Sequence, residues 1–280
     1  MKKVSRSRGG NFLVFAIVFV FGALFFFPFL YAVLQSFKPM SEIFAFPPRF
    51  FVENPTPENY LQIASLTGNL WVPFGRYLFN SVFITVLGTV GHILIVSAAA
   101  FPLAKFTFPG SKLYFEIIVL SLLFTPSVTQ IPQYVIMAKA GMIDTYWVML
   151  LPPLAGSFGL FLMKQFMSVL PDAIIEAASI DGAGKMRIFI SIIMPNVRPA
   201  WLTLMIFVFQ TYWSGTGSSY IYEESLKPLP AILTQIASAG IARAGAGAAV
   251  TILLSLPPIL LFLFAQRRIV ETMAYSGIKD

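Results

Sequence analysis

Few side chains of this sequence suit covalent or acid–base chemistry, and their spacing limits what that chemistry is. Cysteine is absent and His92 is the single histidine. A thiolate nucleophile, a thiolate metal site and a histidine cluster are therefore excluded within the chain. The twelve acids are Glu42, Glu53, Glu58, Glu116, Asp144, Asp172, Glu176, Asp181, Glu223, Glu224, Glu271 and Asp280. None falls in the middle of an apolar run, which is where an ion-coupled carrier needs its ionisable groups. His92 alone lies well inside such a run. A hydrogen-bonded packing histidine is the commoner outcome there, while a proton relay needs a titratable partner. No Gly-x-x-x-x-Gly-Lys-[Ser/Thr] loop occurs, so ATP binding in the P-loop manner is excluded. The chain is expected to carry no catalytic residue, no metal and no cofactor of its own. Uphill movement of a solute would then need a driving force delivered by another protein.

One polar stretch is organised well beyond what a passive loop requires. It spans 168–199, and two helical patterns lie within it. The first begins at Pro171, with Asp172 in the first turn, where the helix dipole favours an anion. Ile174 and Ala178 are spaced to share one face. Asp181-Gly182 breaks the helix, because glycine tolerates a left-handed backbone, and Asp181 is placed to cap the helix that follows. Phe189 and Ile193 form the stripe of the second pattern, with Ile188 and Ile192 beside them. Pro195 ends or kinks it. Within the first helix, Ala177 and Ala178 leave a shallow surface open to close approach, and Glu176 offers a carboxylate to a basic group. That combination suits a short helical knob seated in a protein groove. The alternative is an amphipathic helix lying on the bilayer. Mixed charge, small residues and the central glycine argue against it.

The elements that must hold this knob are read from composition. Hydrophobic residues make up 57% of the 280, charged residues only 11%, and the mean hydropathy is +0.79. Soluble domains carry roughly 25% charged residues, so a soluble enzyme, a disordered chain and a disulfide scaffold are excluded. The fold class is all-α, a polytopic membrane protein treated as one transmembrane domain over 1–280. Six spans are expected, at about 12–34, 77–100, 113–126, 146–166, 200–213 and 248–265. The first opens like a signal peptide, with Lys2, Lys3, Arg6 and Arg8, but its run is too long and no cleavage site follows; Pro28 is expected to kink it. With this layout thirteen basic residues lie on the side of the termini and six on the other, which places both termini in the cytoplasm. The net charge of +7 belongs to that bias and not to nucleic acid. The outward segment 35–75 is rich in proline and aromatics, and Pro57-Glu58-Asn59-Tyr60 is suited to start a short helix. Polar and aromatic residues in or near the spans are pore candidates: Asn80, Thr125, Gln130, Gln133, Tyr134, Gln210, Tyr212 and Trp213. Amides bond sugar hydroxyls and aromatic faces cover a ring's apolar side. The same residue types also serve as interface anchors and helix–helix bonds. The outward segment 220–247 is long enough to reach a docked protein.

Glu176-Ala177-Ala178, Asp181-Gly182-Ala183, Phe189, Ile193, Pro195 and Pro199, between the fourth and fifth of six spans, resemble the cytoplasmic signature of permease subunits in binding-protein-dependent ABC importers. The extended form is similar to the carbohydrate (maltose-type) branch and its smaller permease subunit, as are Ser36-Phe37-Lys38 and the tail from Gln266-Arg267-Arg268 to Lys279. One departure stands out: many relatives carry Trp-Asn at the end of the fifth span, where this chain has Trp213-Ser214 and then small residues. The resemblance implies a type I ABC importer permease fold and a location in a bacterial-type inner membrane. It implies that Glu176, Ala177, Ala178, Asp181, Gly182, Ala183, Phe189 and Pro195 couple the chain to an ABC ATPase dimer, with ATP and Mg on that partner. A second homologous permease subunit, an extracytoplasmic solute-binding protein and a carbohydrate substrate complete what it implies. A non-sugar solute (peptide, amino acid or oxyanion) is the first alternative, and a self-contained channel or carrier the second.

Overall fold

The computed structural model describes residues 8–276 apart from 69, 239, 241 and 242. The basic residues Lys2, Lys3 and Arg6 and the tail residues Gly277, Ile278 and Lys279 lie outside the described residues. Every element among the described residues is helical: α1 (Arg8–Ser36), α2 (Met40–Ile43), α3 (Glu58–Gly68), α4 (Phe74–Lys105), α5 (Ser111–Ser121), α6 (Pro126–Lys139), α7 (Tyr146–Leu154), α8 (Ser157–Val169), α9 (Asp172–Ile180), α10 (Lys185–Ile188), a π-turn (Phe189–Ile193), α11 (Met194–Asn196), α12 (Arg198–Trp213), a 3₁₀ turn (Glu224–Leu226), α13 (Leu229–Ala237) and α14 (Ala244–Ser276). Four of these segments are long and apolar enough to cross a membrane: 9–36, 74–105, 146–169 and 244–266. A fifth follows if Lys185–Asn196 and Arg198–Trp213, bent by 80° at Val197, count as one.

The chain divides into two units, 1–70 with 233–255 and 71–232 with 256–280. In the first unit α1 is apolar all round, and none of its most apolar window is buried, as suits a surface that faces lipid or another membrane helix. A polar knot closes its end. Asn59 donates from Nδ2 to the carbonyls of Ser36 and Lys38, both at 2.9 Å. Tyr60 donates its hydroxyl to Ser36 Oγ at 2.8 Å, and the buried Lys38 ammonium donates to the Arg49 carbonyl. Gly245 leaves room for Asn59, since a Cβ there would stand 2.3 Å from its Oδ1. Burial raises the Glu42 carboxyl pKa, but the N–H groups of Glu53 and Asn54, the Asn54 amide and Lys38 outweigh it and hold the pKa below 4.5.

In the second unit α4 is the axis, packed against α7, α8 and α12. Two glycines set that packing. A Cβ at Gly88 would stand 2.4 Å from the Tyr212 ring, and one at Gly159 would stand 2.3 Å from His92 Nε2. His92 is buried and donates from Nδ1 to the Pro153 carbonyl at 2.6 Å. The contact falls where the proline pair 152–153 and Gly156 interrupt the run from α7 to α8. The region 113–126 resolves into α5 and then a break, after which Thr125-Pro126 opens α6. Ser121 and Ser157 meet through their hydroxyls at 2.5 Å, one beside each break.

Candidate functional site

The elbow runs from α9 through Gly182 to α10 and the π-turn. Pro171 precedes α9 and Asp172 opens it, as the sequence pattern requires. The helix ends in a Schellman arrangement: Ala183 N–H donates to Ala178 O at 2.9 Å and Gly182 N–H to Ser179 O at 3.1 Å. That closure needs a left-handed residue just past the helix, and Gly182 supplies it with φ +78°. Asp181 therefore terminates α9. The expectation that Asp181 caps the next helix is corrected, because Gly184 occupies that N-cap position and no side chain caps it. The expected pairing of Ile174 with Ala178 also changes. Ala178 is buried with the half-buried Ile175 beside it, while Ile174 stays exposed. The π-turn follows from Pro195. Its ring has no N–H and crowds the carbonyl of Ser191, four residues back, and in the turn just before it the Met194 N–H reaches Phe189 O, five residues back. Phe189 and Ile193 anchor the turn, with Phe189 5.5 Å from the Phe101 ring and Ile193 buried.

What the elbow leaves outside is as informative as what it buries. Glu176, Ala177, Asp181 and Gly182 are exposed. Among the described residues the Glu176 and Asp181 side chains have no recorded hydrogen bond or ion pair. Ile180, Met186 and Ile190 are 86%, 69% and 58% exposed. Apolar side chains beside unpaired carboxylates on a rigid, capped turn form a surface suited to a protein groove.

The pore candidates do not share one environment. Asn80 is fully buried, with its amide on the carbonyls of Ser225 and Lys227 at 2.9 Å and its Oδ1 accepting from Tyr146 at 2.7 Å. Tyr212 is buried and donates to Leu150 O at 2.8 Å, and Trp213 stacks on Phe209. Gln210 is exposed on α12, and Gln130 donates to Ser219 Oγ at 3.2 Å. Tyr134 stacks on Tyr220 with 6.0 Å between rings. A cavity of about 160 Å³ lies in this unit, lined by Gln133, Met149, Pro152, Thr211, Tyr212 and Tyr220 among others, with no charged side chain. Thr211 and Tyr220 escaped the sequence reading. Thr211 neighbours Tyr212, and Tyr220 lies in a segment read as outward, so nothing in their spacing flagged them.

No family model matches the chain. Individual proteins do. The chain is 30% identical to the sn-glycerol-3-phosphate transport system permease protein UgpE of Yersinia enterocolitica, over 98% of its own length and 99% of the relative's. It is 26% identical to the polygalacturonan/rhamnogalacturonan transport system permease protein YtcP of Bacillus subtilis, with the same coverage. Among solved structures, a chain of a bacterial ABC transporter involved in import of the acidic polysaccharide alginate matches with TM-score 0.77 and 20% identity, over 94% of this chain and 98% of that one. That match concerns the fold.

Proposed function

The chain belongs to the permease subunits of ABC transport systems, and on that premise we propose that it forms part of the membrane channel of an ATP-driven carbohydrate importer. The observation that carries the reading is the elbow, a capped turn whose Glu176, Asp181, Ile180 and Met186 project unsatisfied. ATP and Mg belong to a partner ATPase dimer, which receives the elbow in a cleft and moves it on closing. A second permease subunit and an extracytoplasmic solute-binding protein complete the assembly. The substrate reading draws on relatives named for polygalacturonan/rhamnogalacturonan and for sn-glycerol-3-phosphate. A neutral hydroxylated ring suits the uncharged cavity between Gln133, Thr211 and Tyr220 better than a phosphate does, because an oxyanion there would lack a cation or fixed donor set. Tyr212 lines this cavity, Gln130, Tyr134, Gln210 and Trp213 remain pore candidates, and Asn80 serves the anchoring of segment 224–229.

Six crossings are obtained when α5 and α6 form the third, α7 and α8 the fourth and α12 the fifth, with α1, α4 and α14 as the others. Both termini and the elbow then face the cytoplasm, in keeping with the basic-residue bias. The ATPase partner is tested with Glu176→Lys and Gly182→Asp in the assembled transporter. Both variants should insert normally, yet lose binding-protein-stimulated ATP hydrolysis and uptake. Normal uptake in both would refute the coupling role, and transport by the isolated chain without ATP would favour a self-contained carrier.

A further inference from the structure

Lys105 is the last residue of α4, and its side chain is placed unusually for a lysine at the end of a membrane helix. A lysine present only for orientation bias stands in water or snorkels to the interface. The Lys105 side chain is 2% exposed. Its ammonium donates to the carbonyl of Leu170 and to the Asp172 carboxylate at 2.7 Å. Leu170 is the C-terminal cap of α8 and Asp172 is the first residue of α9. Between them Pro171 offers no N–H, and the carbonyls at a helix end have no partner of their own. One cation therefore joins the open end of α8 to the first turn of α9 and ties both to α4. Removing an ammonium from water this completely is tolerated only when its donors are used, so the placement reflects a specific contact.

The same end of α4 holds the far side of the elbow. Phe101 lies 5.2 Å from Phe106 and 5.5 Å from Phe189, and the Lys185 ammonium sits 4.9 Å from the Phe106 ring centre. The other end of α4 is tied with equal care to segment 224–229, through Arg76, Tyr77, Asn80 and Ser81. Between the two ends α4 is one continuous helix of 32 residues, about 48 Å at the usual rise. A chain of packed helix and paired groups is the kind of element that carries displacement between distant sites.

We infer that Lys105 is a positioning residue for energy coupling: by clamping Leu170 and Asp172 it fixes the entry of α9 onto α4, so that movement of the elbow is delivered to that helix. The inference rests on the proposed ATPase contact but concerns a residue whose side chain is already enclosed by this chain. It gives Lys105→Met and Lys105→Arg opposite outcomes, since methionine keeps the apolar stem and loses the donors while arginine keeps both charge and donors.

Because the chain has no cysteine, a single Ile180→Cys carries a nitroxide label at one exposed site of the elbow. In the purified full chain, Lys105→Met should raise the mobility of that label, and Lys105→Arg should restore the original spectrum. In the assembled transporter with its ATPase, second permease subunit and binding protein, Lys105→Met should lower kcat for ATP hydrolysis about tenfold, a typical size for lost coupling between sites. KM for ATP should stay unchanged and the ATPase should still co-purify. Asp172→Asn, which alters an exposed side chain and leaves the Leu170 bond, should give a smaller drop and serves if Lys105→Met fails to fold. An unchanged label spectrum, or an unchanged kcat, overturns the assignment. Failure of the ATPase reading is seen separately, since Glu176→Lys would then leave hydrolysis and uptake intact whatever Lys105 does.

Discussion

The two ends of α4 are finished in opposite ways. At the Asn80 end the chain satisfies itself. Tyr77 donates to Glu224 at 2.9 Å, Lys227 pairs with the same carboxylate at 2.6 Å, Arg76 reaches Ser225 O and Tyr146, and Ser81 accepts from the Leu229 N–H at 2.7 Å. Asp144, at φ +57°, accepts from the N–H groups of Tyr222 and Glu223 at 2.5 and 2.8 Å. At the Lys105 end the support of the elbow is equally firm, but its outer face keeps carboxylates and long apolar side chains without partners. Polar groups that a segment buries are paired within the chain. The elbow leaves some unused, and the contrast separates the anchor from the proposed contact surface within one helix's length.

Substitutions at the two ends should therefore report on different quantities. The largest loss of stability is expected for Asn80→Leu, which strips the Lys227 carbonyl of its donor and the Tyr146 hydroxyl of its acceptor while Arg76 still reaches Ser225 O and Tyr146, at a cost of about 2 kcal/mol. Thermal unfolding of the detergent-solubilised chain measures it, and a shift no larger than that of an exposed substitution would erase the contrast. At the elbow, Gly182→Ala meets no neighbouring atom within 4 Å. Its cost is the left-handed backbone alone, about 1 kcal/mol, and Gly182→Asn should recover part of it. Hydrolysis by the assembled transporter should fall more than the melting temperature of the chain.

Acid should act on the Asn80 end. Burial raises the Glu224 carboxyl pKa, but the bonds from Lys227 and Tyr77 outweigh this and hold it below the ordinary 4.5. A carboxylate with a depressed folded pKa contributes stability that is complete above its unfolded value and lost as pH falls through the folded one. The anchor should thus weaken only below about pH 4.5, and Glu224→Gln should flatten that part of the stability–pH curve. A curve with the same acid limb in both proteins would remove Glu224 from the anchor. The smallest stability effect is expected for Met186→Ser on the elbow's open face, within about 0.5 kcal/mol. Retention of the ATPase on the purified complex should nevertheless drop, and a protein equal to the parent in both measurements would show that this face makes no contact.

Several elements are legible in the sequence alone. Charge scarcity and apolar runs pointed to membrane helices, and α1, α4, the α7–α8 run and α14 are each long and apolar enough to cross. Glycine after a short helical pattern marked the turn at 182, because a single left-handed residue has a strong sequence signature. Pro57 before Glu58 marked the start of α3. Other features depend on which side chains meet. Ile175, and not Ile174, turns inward because the face of a nine-residue helix is set by its neighbours and not by its own periodicity. Asn80 suits either a pathway or a helix–helix bond by its sequence alone, and in the structure it is an anchor whose amide donates to backbone carbonyls about 145 residues away. Lys105 counted only as a basic residue in a short loop.

The sequence by itself determined that this chain lives in a membrane, that it lacks a nucleotide loop, and that a capped polar elbow interrupts its spans, because those follow from composition and local backbone rules. The tertiary structure decided which polar groups are consumed internally and which are left over. Hydrogen bonds between segments distant in sequence have no local signature, so the division of labour along α4 exists only once the helices are packed.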